Sequence, residues 1–257
     1  MLHARDIAPK TALVTGASSG IGRALALELA HRGTHVALSA RRKEELSEVA
    51  RTIEERGGRA IVLPVDVADP KAVAEVVRAA DRELGALEMV VANAGVGYYG
   101  HSSTMSWEQI VRNIEVNVLG AMATLHAAIP IFLAHKGGHL VGVTSLAGRR
   151  GLPLSAPYCA SKAALSTFLE SLRIDLADAG IRVTDVQPGF VATAITANAK
   201  HAMPFLWPAD RAAKYIARRL ESAPPIVAFP WPLAFLTRVS RHLPTWIYDP
   251  LTRMMSG

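Results

Sequence analysis

The stretch Ala12-Leu13-Val14-Thr15-Gly16-Ala17-Ser18-Ser19-Gly20-Ile21-Gly22 decides how the chain is read. Three apolar residues and a threonine make a short run suited to a strand buried on both faces. Glycines then stand at positions 16, 20 and 22, and from Ile21 the apolar spacing becomes helical. A strand that turns through glycines into a helix leaves the helix's first N–H groups unpaired at the turn. Together with the positive end of the helix dipole, those groups attract a phosphate. Gly16 permits the tight turn, Gly20 lets backbone approach a pyrophosphate, and Gly22 allows the helix to pack closely on the strand. A left-handed turn with no ligand uses the same glycines, so the motif alone leaves both readings open.

The surrounding chain repeats this alternation. Short apolar runs at 12–15, 35–39, 60–65, 88–93, 139–144 and 181–187 are separated by stretches of helical period at 21–31, 43–56, 71–84, 107–134 and 155–179. A further helix at 210–221 and a seventh strand at 226–229 are expected after them. Strands alternating with helices predict βαβ crossovers, hence an α/β fold with a doubly wound parallel sheet of about seven strands. Gly33, Gly57, Gly58, Gly85 and Gly180 each follow an expected helix, where a left-handed residue is wanted. No repeat or low-complexity linker interrupts 8–190, so one catalytic domain is expected over 8–230, with 231–257 as a C-terminal amphipathic extension.

Composition narrows the function classes. Of 257 residues, 50% are apolar and 19% charged, which excludes wholesale disorder. The single cysteine excludes an intrachain disulfide and a zinc site built on several thiolates. No uninterrupted apolar run reaches the ~18–20 residues of a bilayer span, the richest, 119–134, being broken by His126 and Pro130. MLHARDIAP lacks an apolar core, so no secretory signal is expected and a cytoplasmic, reducing compartment is. The net charge of +6 sits in the tail: residues 1–199 hold 20 Lys+Arg against 19 Asp+Glu, and residues 200–257 hold 8 against 3. Nucleic acid is not an expected partner, because the bulk of the chain is balanced.

Two further groups carry chemistry. The second strand ends Leu38-Ser39-Ala40-Arg41-Arg42, with no carboxylate to hold a ribose 2′-hydroxyl. Arg41 and Arg42 instead suit a 2′-phosphate, although a solvated basic helix start reads the same. Asp66, followed by Val67, closes the third strand and either accepts from an adenine amino group or caps the next helix. Tyr158 and Lys162 are four apart on an expected helix and share a face. A free phenol titrates near ~10, and a neighbouring ammonium is expected to lower it toward general acid–base use. Ser145 ends the fifth strand, at the carboxyl edge where such sheets bind ligands.

With TGASSGIG at 15–22, Asn93-Ala94-Gly95, Asn117, Ser145, YCASK at 158–162 and Pro188-Gly189, the chain resembles the classical short-chain dehydrogenase/reductase family from about Lys10 to Thr193. The resemblance implies a Rossmann fold, an oxidoreductase, and a catalytic tetrad of Asn117, Ser145, Tyr158 and Lys162. Tyr158 would exchange a proton with the substrate oxygen and Ser145 would hydrogen-bond it. Lys162 would hold the nicotinamide ribose and lower the tyrosine, and Asn117 would hold a water that links Lys162 to solvent. Gly16, Ser18, Ser19, Gly20, Ile21 and Gly22 would bind the pyrophosphate, and Asn93, Ala94 and Gly95 would pack on the adenosine half. Pro188, Gly189, Val191 and Thr193 would seat the carboxamide. It further implies a homodimer or homotetramer. NADP is the expected cofactor and NAD the less favoured one.

The substrate side is expected in the loops 96–101, 146–154 and 194–207, where Tyr98, Leu146, Leu152, Phe205 and Trp207 suggest a lipophilic carbonyl or secondary alcohol. A ketoreductase acting on a carrier-tethered acyl chain is the narrower alternative, and a non-catalytic NADP-binding sensor or scaffold the alternative of another class. No metal is expected; His101, His126, His139 and His201 read as surface or core residues, and Cys159 as helix packing. In the tail, Leu233, Leu236, Val239, Ser240 and Leu243 fall on one helical face, with Arg238, Arg241 and His242 elsewhere and Trp231 and Trp246 flanking. Such a helix covers a pocket, meets a neighbouring subunit, docks a carrier or lies on an anionic membrane.

Overall fold

The computed structural model describes residues 9–197 and 203–254. Its main sheet has seven parallel strands: β1 (Thr11–Thr15), β2 (His35–Ser39), β3 (Ala60–Val62), β4 (Met89–Ala92), β5 (Gly138–Val143), β6 (Ile181–Pro188) and β9 (Ile226–Phe229). Their order is β3-β2-β1-β4-β5-β6-β9, so the winding reverses between β1 and β4. A two-stranded ribbon, β7 (Val191–Ala192) and β8 (Trp207–Pro208), stands apart. Consecutive apolar residues serve opposite faces: Ala12 and Val14 join one core, and Leu13 the other.

The first core packs under α1 (Gly20–His31), α2 (Lys43–Glu55) and α7 (Ala209–Glu221), through residues such as Leu29, Ile53 and Ile216. The second packs under α3 (Pro70–Leu84), α5 (Ala121–Ala134) and α6 (Ala156–Asp175), through Val77, Phe132 and Leu169. Pro70 at the first turn and Asp69 as N-cap, accepting from Lys71 N–H and Ala72 N–H, start α3. Asp66 therefore does not cap that helix; it accepts from Ala68 N–H within its own turn.

Two expected helices differ. The stretch 107–134 is not one α-helix: α4 (Trp107–Ile114) and α5 are joined by a π turn at Glu115–Gly120, with Asn117 in it. The stretch 155–179 is α6 followed by a short 3₁₀ turn, Ala177–Ala179. By length and composition Trp107–Ala134 could cross a bilayer, alone among the described helices, but half of its most apolar window is buried inside the protein. Its burial by the second core is that of a core helix.

After β9 come α8 (Trp231–Ser240) and α9 (Thr245–Met254). Arg149 donates to the Ala234 carbonyl at 2.6 Å and to Thr237 Oγ1 at 3.2 Å. Arg150 donates to the carbonyls of Ser240 and Leu243 and lies 3.7 Å over the Tyr248 ring. Tyr248 Oη donates to the Gly151 carbonyl at 2.7 Å. The loop after Ser145 thus holds both C-terminal helices.

Candidate active site

The carboxyl ends of β1, β2, β4, β5 and β6 open on one cavity of about 1210 Å³. It lies where the strand order reverses, as expected for a doubly wound sheet. At one end is the glycine turn. Gly16 and Gly20 have φ of +69° and +56°, which other residues adopt only under strain. A Cβ on Gly22 would stand 2.3 Å from the Gly16 carbonyl oxygen. Ser19 gives α1 no side-chain cap, and no acidic residue occupies its first turn. The turn therefore presents a positive helix end to the cavity, and this donor set fits a dinucleotide pyrophosphate.

Arg41 and Arg42 border the same end of the cavity. Arg42 donates from Nη2 to Ser18 Oγ at 3.0 Å, and its Nη1 pairs with Glu45 Oε1 at 3.1 Å. Arg41 is only 4.0 Å from Asp66, whose closer partner is Arg112 at 2.9 Å. Burial pushes the Asp66 carboxyl up, but the Ala68 N–H, Arg112 and Arg41 together hold it below the usual range.

At the other end Ser145 follows β5, and Tyr158 and Lys162 lie one turn apart on α6. Ser145 Oγ accepts from Ala147 N–H at 3.1 Å and bonds with the Tyr158 phenol. The Tyr99 ring packs 5.7 Å from that of Tyr158. Lys162 Nζ donates to the Val143 carbonyl at 2.9 Å and lies 5.8 Å from the Tyr158 ring centre. Burial pushes Tyr158 up to about 12, against the Ser145 hydrogen bond. The expected lowering by the ammonium is not seen: desolvation of the phenolate raises the group, and what opposes it is Ser145. Burial also pulls Lys162 down to about 8, with the Asp185 charge opposing it.

Asp185 is a participant that sequence reading missed. It is 5% exposed, yet accepts from Thr144 Oγ1 and Ser166 Oγ, each at 2.5 Å, and from Gln187 Nε2 at 2.6 Å. Gln187 Oε1 in turn accepts from Arg149 Nε and Nη2 at 2.9 and 2.7 Å. A continuous network joins the floor beside Lys162 to α8. An aspartate inside the apolar strand 181–188 was the available signal.

The remaining expected residues divide. Ser18, Ser19, Ile21, Val67, Asn93, Ala94, Gly95, Pro188, Gly189, Val191 and Thr193 border the cavity. Asn117 lies behind it, fully buried, donating to the Val96 carbonyl at 2.9 Å and Ser161 Oγ at 3.0 Å and accepting from Val96 N–H at 2.8 Å. It holds the segment after Gly95. Leu146 and Leu152 line the substrate side as expected, but Tyr99 does so in place of Tyr98, and Met203 and Pro204 in place of Phe205. Trp207 stacks on Phe229 at 5.1 Å and meets Tyr215 edge-on, covering the first core. His139 is a buried core residue bonded to Thr184, His101 bonds Ser103, and His126 is exposed. Cys159 is buried in α6, while His201 and residues 198–202 of the expected substrate loop lie outside the described residues. Among the described residues no cluster of three His, Cys, Asp or Glu side chains is placed to hold a metal ion. Leu233, Leu236, Ser240 and Leu243 line the cavity, but Val239 of the expected tail face does not.

Residues 10–204 match the family model described as short chain dehydrogenase, and the chain belongs to that family of oxidoreductases. It is 44% identical over 250 residues to an uncharacterized oxidoreductase of Myxococcus xanthus (strain DK1622), covering 97% of this chain and 99% of that one. A 3-ketoacyl-ACP reductase from Sinorhizobium meliloti 1021 has a TM-score of 0.79 at 32% identity, covering 88% of this chain and 99% of that chain. An alcohol dehydrogenase from the archaeon Thermococcus sibiricus, complexed with 5-hydroxy-NADP, has a TM-score of 0.77 at 30% identity, covering 86% and 94%.

Proposed function

We propose that the protein transfers a hydride between NADP and the carbonyl or secondary alcohol of a lipophilic small molecule. The observation that carries this reading is the cavity: a serine, a tyrosine and a lysine at one end, and two arginines beside an uncapped helix start at the other. Bound NADP supplies or accepts the hydride, which is the cofactor's own chemistry. The turn from Gly16 to Gly22 would take the pyrophosphate, Arg41 and Arg42 the 2′-phosphate, and Asp66 and Val67 the adenine. Asn93, Ala94 and Gly95 would flank the adenosine, and Pro188, Gly189, Val191 and Thr193 the carboxamide. Similarity to a dehydrogenase complexed with an NADP derivative supports this cofactor class.

Tyr158, pushed up to about 12, stays a phenol at neutral pH and so donates its proton to a carbonyl oxygen. That protonated state is the one from which carbonyl reduction starts. Ser145 Oγ–H would bond the same oxygen and stabilise the charge that develops there. Lys162, fixed through Val143, would hold the ribose and keep a positive charge beside the phenol. Asn117 is a positioning residue, acting through the Gly95–Val96 backbone. A proton donor, an oxyanion partner and a lysine in one cavity weigh against a non-catalytic sensor.

A panel of ketones and alcohols, followed at the nicotinamide absorbance band with both cofactors, tests the reading. One charge-assisted hydrogen bond is worth ~1.5–3 kcal/mol, hence roughly ten- to a hundredfold in favour of NADPH over NADH. Ala40→Asp with Arg41→Gln should reverse the preference. Equal or better efficiency with NADH in the wild type rejects the assignment. Likeness to a 3-ketoacyl-ACP reductase favours the carrier-tethered substrate as the second reading, and the same panel with carrier-bound and free acyl ketones separates them. Exposed Trp107, Leu119, Leu133 and Ile174 on the helices of the second face support a homodimer or homotetramer, which light scattering tests.

A further inference from the structure

The helices α8 and α9 are apolar on two sides. Leu233, Leu236, Thr237 and Ser240, spaced three and four apart, face the cavity. No residue of α8 is fully buried, and its other side presents Trp231 at 78% and Phe235 at 65% exposure, with Arg238 one turn beyond Phe235. Trp246 on α9 is 76% exposed. Arg241, His242 and Arg253 are exposed beside these aromatic residues, against a single acidic residue, Asp249, in 231–254. Large exposed apolar side chains set among arginines are costly in water and mark a contact surface. Tryptophans and arginines together match the boundary between lipid headgroups and acyl chains, where the ring is half wet and the cation meets phosphate.

The surface is also continuous with the cavity. Leu236 and Leu251 line it and are still 60% and 52% exposed, so they form its rim. We infer that α8 and α9 dock the protein on an anionic lipid bilayer, placing the rim of the substrate cavity against the lipid. The positive charge selects an anionic surface over a neutral one, and the anchors in Arg149 and Arg150 hold both helices over the cavity while their other side meets the headgroups. Docking itself does not depend on the reductase reading. Its consequence, delivery of a lipid-borne carbonyl or alcohol, rests on that reading.

The test uses the full chain with phosphatidylcholine vesicles and with vesicles also containing phosphatidylglycerol. Flotation at low salt should carry the protein with the anionic vesicles and leave it behind with the neutral ones, and added salt should release it. Quenching of tryptophan fluorescence by brominated lipid should appear and be reduced in Trp231→Ala. Arg238→Gln with Arg241→Gln, both exposed and outside the proposed machinery, should lower partitioning about thirty-fold, taking the usual worth of an arginine near a charged membrane. Vesicle binding needs no turnover, so it stands or falls separately from the catalytic proposal. Absence of binding to anionic vesicles, equal binding to both, or binding untouched by these substitutions overturns the inference. So does a dimer that shields Trp231 from an aqueous quencher and is broken by Trp231→Ala, which would make the surface a subunit contact.

Discussion

Asp185→Asn tests whether the buried network beneath Lys162 sets the working pH of the enzyme. Asparagine keeps the shape of the side chain. The Thr144 hydroxyl, 3.2 Å from the Val186 carbonyl, can donate there and accept from the new amide. The network therefore survives at a cost of about 1–3 kcal/mol, and the main change is one charge. Burial already holds Lys162 at about 8, and Asp185 is the charge that opposes it. Removing that charge should therefore let the variant's lysine titrate lower. A lysine is charged below its pKa; activity that needs the ammonium is lost as pH rises, and the variant loses it sooner. A move of about one pH unit would take the charged fraction at the wild-type midpoint from about a half to about a tenth, a loss of roughly five-fold. Tyr158 titrates far above this range and does not blur the limb. The assay is kcat/KM for carbonyl reduction against pH at saturating NADPH, with thermal unfolding as the check on folding. A folded variant whose alkaline limb coincides with the wild type refutes the role given to Asp185.

Tyr158→Phe should remove nearly all turnover while cofactor affinity by fluorescence titration stays within a few-fold, whereas Lys162→Ala should damage both; wild-type turnover in Tyr158→Phe would sink the mechanism. Gly22→Ala places a Cβ 2.3 Å from both the Gly16 carbonyl oxygen and Asn93 Nδ2. Overpacking of this kind costs ~1–3 kcal/mol, read as a lower Tm, together with weaker cofactor binding. Arg150→Ala frees the Ser240 and Leu243 carbonyls and the Tyr248 ring. It should raise KM for bulky apolar substrates several-fold with a smaller change in kcat, and an unchanged KM would show that the C-terminal helices do not shape the site.

The sheet was readable because its central parallel strands are buried on two sides and so appear as consecutive apolar residues. The glycine turn and the Tyr158–Lys162 pair were readable because their chemistry depends on spacing along the chain. Asn93, Ala94 and Gly95, expected from the family resemblance alone, border the cavity. What failed depends on which way a side chain points in space. Tyr98 and Tyr99 are adjacent and identical, and only the loop's path sends Tyr99 to the cavity. Trp207 was assigned to the substrate, but Phe229 and Tyr215 offered it a better-packed place. Asp69 before Pro70 carried the stronger capping signal and was overlooked in favour of Asp66. The Arg149–Gln187–Asp185 network joins two residues of β6 to Arg149 in the loop after β5, and the aspartate in that apolar strand is its one local sign.

The π turn at Glu115–Gly120 makes this stretch of chain intolerant of a change in length. Loss of one residue there would let the segment relax into an ordinary α-helix, which turns ~100° for each residue. Because a π turn takes up one residue more than an α turn, the flanking helices would stay in phase and the rotation would fall on the residues inside the turn. α5 would keep Leu125 and Phe132 in the core, while Asn117 would swing away from Val96. Insertions and deletions should therefore be absent from 115–120 in functional variants of this chain.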